Sequence, residues 1–311
     1  MGFIHRSVLA AEVLRLLEPR PGGVYLDGTL GGGGHAAMIL DASGPDGRLI
    51  GLDRDEDAIR AAKETLRPYG ERATLVREDF RNMSGVILGL GVERVDGIVL
   101  DLGVSSYQLE APERGFSFSR DARLDMRMDR RQELTAWDIV NGSGVEELVR
   151  IFREYGEERE AKRIARAIGR ARETKPVETT GELARIVAEA VPKRLQPRSI
   201  HPATRVFQAL RIAVNDELGG LAAGLAAGME SLKSGGRMAV ISFHSLEDRI
   251  VKTAFRDYST GCVCPPRIPR CVCGRKPAAR LLTKRAVTPS EEELSGNPRS
   301  RSAKLRAVER L

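Results

Sequence analysis

The residues whose types and spacing best suit chemistry begin with Leu26-Asp-Gly-Thr-Leu-Gly-Gly-Gly-Gly-His35, where Asp27 directly precedes a glycine-rich turn. Gly31, Gly33 and Gly34 lack a Cβ and let the backbone pass close to a ligand, and a helix starting there offers unpaired N–H groups. Glycines alone discriminate little, because Gly31, Gly33 and Ala36 also satisfy the relaxed dinucleotide pattern G-x-G-x-x-A. Asp53 ends the next predicted strand, where a carboxylate can accept hydrogen bonds from both ribose hydroxyls. Asp27 is the sharper signal. A pyrophosphate lying over it would meet a like charge, whereas a ligand with a sulfonium and an amino group would be attracted. S-adenosylmethionine has that charge distribution and NAD does not. The competing structural reading is that both carboxylates cap turns or helix starts.

Two further clusters follow predicted strands. Asp101 ends Val95-Asp-Gly-Ile-Val-Leu-Asp101, so in a doubly wound sheet it borders the ligand crevice. If the acceptor is the exocyclic amine of a base, a carboxylate bonded to that amine would draw off charge as the new bond forms and then take the proton. Asp101 suits this role, or else holds the donor. Ser242-Phe-His-Ser-Leu-Glu-Asp248 has the same placement, which brings His244 and Asp248 toward the acceptor; the structural alternative makes Ser245 a helix cap with Glu247 and Asp248 in its first turn. All four cysteines fall in Cys262-Val-Cys264 and Cys271-Val-Cys273. Four such thiolates could enclose a structural zinc ion, with free thiols as the alternative.

The elements that must position these groups alternate over the first hundred residues. Apolar runs at 23–27, 48–53, 73–77 and 95–101 read as strands, separated by helical stretches, the first of them capped by Ser7 and another by Asp55. This is the pattern of a mostly parallel α/β sheet. Gly103 to Asp129 is a polar segment too long for an ordinary connection. Thr135 to Leu195 reads as helical throughout, and one long helix is predicted from Pro202 to Leu232 before a strand at 236–242. The economical architecture is a sheet domain of residues 1–107 and 202–311, ending in a basic, cysteine-containing tail from 262. An all-helical domain, with its preceding loop, fills 108–201.

The chain has 311 residues and a formal net charge of +7. From Cys262 onward twelve Lys or Arg face four Glu, a balance suited to a phosphate backbone or simply to a solvated tail. Aromatic content of 5% argues against a broad base-stacking platform. With no apolar run near eighteen residues and no signal-like N-terminus, the expectation is a cytoplasmic protein with no membrane partner. The arginines between Arg150 and Arg172 are interleaved with glutamates and read as a salt-bridged face rather than a phosphate-binding one. His5 and His201 read as structural.

Several long motifs carry a resemblance: Tyr25-Leu-Asp-Gly-Thr-Leu-Gly-Gly-Gly-Gly-His35, Asp101-Leu-Gly-Val-Ser-Ser106, Arg114-Gly-Phe-Ser-Phe118, Leu124-Asp-Met-Arg-Met-Asp129, Ser242-Phe-His-Ser-Leu-Glu-Asp248 and Asn297-Pro-Arg-Ser-Arg-Ser-Ala-Lys304. Together they resemble the bacterial ribosomal small-subunit RNA cytosine-N(4) methyltransferases, the RsmH or MraW family, over nearly the whole chain. The resemblance implies a class I methyltransferase fold (Rossmann-like) with an inserted helical domain. It also implies methylation of a decoding-centre cytosine near the P site of 16S rRNA, free or in the small ribosomal subunit. The donor contacts it implies are Gly33, Gly34, His35, Asp53, Phe80, Asp101 and Gln108, with Phe80 as an apolar wall for the adenine. Ala36 and Tyr107 depart from the usual pattern. Two other readings stay open: an NAD-dependent dehydrogenase, and a ribosome-associated RNA-binding protein that does no chemistry.

Overall fold

The computed structural model describes residues 7–196, 200–264 and 272–311, so His5, Pro197 and Cys271 lie outside the described residues. Two compact units divide the chain: residues up to Gly103 together with those from Leu218, and Val104–Glu217.

The first unit is a seven-stranded sheet of β1 (Val24–Asp27), β2 (Arg48–Leu52), β3 (Ala73–Val76), β4 (Val95–Asp101), β5 (Leu232–Ser242), β6 (Ala279–Leu281) and β7 (Lys304–Arg310), in the order β3-β2-β1-β4-β5-β7-β6. Strands β1 to β5 run parallel; β7 is antiparallel to β5 and β6 to β7. Every residue of β1 is buried, as expected of a central strand covered on both faces. Alternation along it separates two cores. Leu26 joins the core built from the helices Met83–Gly89, Glu217–Ser231 and Ser245–Ser259. Tyr25 joins the one built from Ala10–Leu17, Gly34–Ala42 and Glu56–Leu66.

The structure departs from the sequence expectation at three places. The basic stretch from 262 is not a tail: Leu305, Ala307 and Val308 of β7 are buried in the sheet. Much of its charge is used internally. Arg306 and Lys304 pair with Asp248, Arg280 pairs with Glu309, and Arg310 donates to the carbonyls of Met229, Glu230 and Leu232. The expected helix from Pro202 to Leu232 is two, Thr204–Asn215 and Glu217–Ser231, interrupted at Asp216, whose φ of 46° is left-handed. At the N-terminus Leu9, not Ser7, holds the N-cap position of the helix Ala10–Leu17.

The second unit is built of the helices Ala136–Gly142, Val145–Glu154, Ala161–Thr174, Thr180–Ala190 and Thr204–Asn215. Val206, Phe207 and Leu210 of the last helix pack with Phe152, Ile164 and Leu183, which puts this unit's end at Glu217 instead of the expected 201. Arg150 pairs with Glu147 and Glu154, and Arg163 with Glu160, as the interleaved charges suggested. His201 accepts the Ala203 N–H and lies against Phe118, a structural role.

The segment Gly103–Asp129 is organised around a buried guanidinium. Arg114 is 1% exposed and its Nη2 donates to the carbonyls of Arg127 (2.9 Å) and Met128 (3.1 Å). Asn215 accepts the Met128 N–H and donates to the Met126 carbonyl. Gly115, at φ 69°, has no room for a side chain: a Cβ there would lie 2.4 Å from the Arg123 carbonyl oxygen. Arg114→Met keeps the apolar stem but removes the donor to two carbonyls, so denaturant unfolding of the full chain should show a loss of about 2 kcal/mol or more. Unchanged stability would show that Arg114 does not hold this segment.

Candidate cofactor and acceptor site

The turn after β1 is pinned to both neighbouring strands. Gly28 N–H donates to the Val99 carbonyl of β4 and Leu30 N–H to the Leu52 carbonyl of β2. A Cβ on Gly28 would sit 2.4 Å from Leu100 Cδ2, so the chain can approach β4 this closely only as glycine. Thr29 ties the two strand ends together, its Oγ1 accepting the Asp101 N–H at 2.5 Å. Gly31 N–H donates to Asp53 Oδ2 at 2.9 Å, and Gly33, at φ 82°, opens the helix Gly34–Ala42 with no side-chain cap. The amides of that first turn are therefore left to a ligand or solvent.

Into this frame the sequence puts two carboxylates and an imidazole. Asp27 is 1% exposed; Oδ1 accepts the Thr29 N–H, and Oδ2 is buried with no hydrogen-bond partner among the described residues. His35 is 6% exposed, with neither ring nitrogen hydrogen-bonded and Nε2 3.6 Å from Asp101 Oδ2. Asp101 Oδ1 is likewise buried and unpartnered. Loss of hydration pushes the Asp27 carboxyl up to about 7, against the pull of His35 and the Thr29 N–H, and the charges of Asp101 and Asp53 push the same way. Burial also raises Asp53 to about 6, against the N–H groups of Asp55 and Gly31. For His35, burial alone would lower the pKa; Asp101 and Asp27 outweigh it, and the net direction is upward. Asp27, His35 and Asp101 thus form one coupled group of charges with unused hydrogen-bonding capacity.

The other expected residues fall as follows. Both oxygens of Asp53 already accept backbone N–H groups, from Gly31 and Asp55, and a carboxylate keeps further lone pairs for a ribose. Phe80 begins a short helical turn beyond β3 and packs closely on two glycines: a Cβ on Gly224 would touch its ring at 2.3 Å, and one on Gly28 its Cβ at 3.0 Å. Gln108 stands in the second unit and closes a capping box with Ser105, its Oε1 accepting the Ser105 N–H. The cap of the helix Ser245–Ser259 is His244, not Ser245 as the sequence suggested. Its Nδ1 accepts the Glu247 N–H at 3.4 Å, while Glu247 Oε2 accepts the Phe243 and His244 N–H groups. His244 Nε2 lies 3.1 Å from Glu247 Oε1, at an angle that makes no hydrogen bond. Asp248 is paired with Arg306 and Lys304, and these partners outweigh burial and keep its carboxyl below the usual range. Sequence reasoning gave no separate role to Thr29, although its place between Asp27 and the glycines was the available signal.

The parallel sheet with its antiparallel β7, and the glycine turn between two acidic strand ends, define a class I methyltransferase fold. The chain belongs to the MraW methylase family, which it matches over residues 2–311. It is 57% identical over 311 residues to the ribosomal RNA small subunit methyltransferase H of Geobacter sulfurreducens, with all of both chains covered. The proteins of the same name from Geotalea daltonii and Symbiobacterium thermophilum are 56% and 54% identical; 99% of this chain and 99% of the first are covered, and 100% of this chain and 98% of the second.

The raised Asp27 pKa has a defined sign. The folded protein holds that proton more tightly than the unfolded chain, whose carboxyl titrates near 3.8. Ligand-free protein should therefore be most stable in this respect below about pH 4 and lose that contribution as pH rises to about 7. Asp53 adds a change of the same sign up to about 6. Thermal unfolding across this range should show a shallower slope in Asp27→Asn than in the parent; identical slopes would contradict the burial cost assigned to Asp27.

Proposed function

We propose that this protein transfers a methyl group from S-adenosylmethionine to the exocyclic N(4) amine of a decoding-centre cytosine near the P site of 16S rRNA. Family membership and the names of full-length relatives support small-subunit RNA as substrate. The carrying observation is the buried, unpartnered Oδ2 of Asp27 at the mouth of β1. An unpaired buried carboxylate costs several kcal/mol, and a cationic ligand offsets that cost where a diphosphate would increase it. This disfavours the dehydrogenase reading.

The residues present fit the donor. Asp27 suits the ligand's amino end, the uncapped helix start at Gly34 and His35 suits its carboxylate, Asp53 suits the ribose hydroxyls and Phe80 the adenine. S-adenosylmethionine supplies, when bound, an electrophilic methyl group on a positively charged sulfur. The protein's own contribution is positioning and proton handling. The cytosine amine shares its lone pair with the ring and is a weak nucleophile. Asp101 Oδ1, buried and without a partner, accepts a hydrogen bond from that amine and takes its proton as the carbon–nitrogen bond forms. His35, 3.6 Å from the other oxygen, places an imidazole charge beside the carboxylate. His244 is the alternative base; its Nδ1 is occupied as a helix cap, which leaves Asp101 the better placed of the two. Arg150 and Arg163 are taken up by ion pairs, contrary to a phosphate-binding role for them, but Arg153, Arg159, Arg166 and Arg170 of the same helical unit are exposed, and we assign to these four the contact with RNA phosphates.

Mass mapping of methylated nucleotides in small-subunit RNA should show the N(4)-methyl on one cytosine in cells with the protein and its loss without it; an unchanged map would refute the assignment. With purified protein and small-subunit RNA, Asp101→Asn should lower kcat about a hundredfold or more while donor affinity stays within about threefold. Loss of donor binding with kcat preserved would instead make Asp101 a donor contact, and full activity would remove it from both roles and favour a non-catalytic binding protein.

A further inference from the structure

The cysteine segment stands apart from the cofactor site and has its own geometry. Cys262, Cys264 and Cys273 are the described thiols, none in a disulfide, and their sulfurs all lie within 4.8 Å of one another. Cys262 Sγ and Cys273 Sγ are 3.8 Å apart. Thiolates about 2.3 Å from one tetrahedral zinc ion are separated by about 3.8 Å, whereas a disulfide requires about 2.05 Å. The Val272 N–H donates to Cys264 Sγ at 3.4 Å.

The fold gives these sulfurs a task. The loop leaves the end of the helix Ser245–Ser259 and returns to it, where the Ala278 N–H donates to the Tyr258 carbonyl and Arg275 Nη2 to the Asp257 carbonyl. Between those points the described apolar side chains do not anchor it: Val263 is 54% exposed and Val272 78%. Holding a loop in one shape costs conformational entropy, and a crosslink between its described ends would offset part of that cost. We propose that Cys262, Cys264 and Cys273 bind a structural zinc ion that closes this loop. Soft thiolates select zinc over magnesium, calcium or manganese. Binding converts each coordinating thiol to a thiolate, releases its proton to solvent and changes no oxidation state.

The test uses the untagged full-length chain, purified under reducing conditions from zinc-replete cells. Elemental analysis should find about one zinc per chain, and Cys262→Ser with Cys273→Ser should reduce it below about a tenth of that. Because the double variant can fail for want of folding, the parent is also stripped of metal and titrated with cobalt(II). Thiolate-to-cobalt charge transfer in the near ultraviolet, with intense visible bands, would establish tetrahedral sulfur ligation directly. Chelation should also speed tryptic cutting after Arg275, inside the loop. A parent that holds no zinc and shows no thiolate–cobalt band, or a double variant that keeps its full zinc content, would overturn the proposal.

Discussion

Burying Asp27 at the end of the central strand takes its carboxylate out of water and returns, within the described protein, one hydrogen bond, from the Thr29 N–H. That deficit organises the site. Gly28 must be glycine for the chain after β1 to approach β4 this closely, and Thr29 fixes the approach by accepting the Asp101 N–H. His35 enters from the first turn of the next helix, its Nε2 3.6 Å from Asp101 Oδ2 and within electrostatic reach of Asp27. The result is a set of charges the fold tolerates and does not neutralise, which is the condition for recognising a charged ligand by completing the protein's own hydrogen bonds.

Elsewhere charge is spent on architecture. Asp248 and the basic residues of β7 fasten the last strand to the helix after β5, and Arg310 collects three carbonyls where the helix Glu217–Ser231 runs into β5. Arg114 does the same for the segment that opens the helical unit. A sequence with so many arginines invites a nucleic-acid reading of every cluster. Here several of those clusters act as hydrogen-bond hubs, and the surface left for RNA is correspondingly smaller.

How far the sequence was legible follows from which signals are local. Strands β1, β2 and β4 are apolar runs ended or followed by Asp, and β3 and the second half of β5 are apolar runs too, a signal that is local to each strand. Strand β7, Lys304–Arg310, carries four charged residues in seven, and only the alternation of Leu305 and Ala307 between them hints at a sheet, so its charge was read as a tail. The break at Asp216 lies in a single backbone angle. His244 as a cap was missed because serine is the commoner capping residue. Asp27, Asp53 and Asp101 were legible as acidic strand ends, but the approach of His35 to Asp101 joins positions far apart in the chain and has no periodic signature.

The account rests on Asp27 favouring positive charge and disfavouring a diphosphate. Calorimetric titration of the ligand-free full chain at about pH 8, with S-adenosylmethionine and separately with NADH, addresses this directly. Binding of the sulfonium compound, weakened about tenfold or more in Asp27→Asn, with no heat from NADH, is the result expected. Binding of NADH in its place, or undiminished affinity for S-adenosylmethionine in Asp27→Asn, would contradict it.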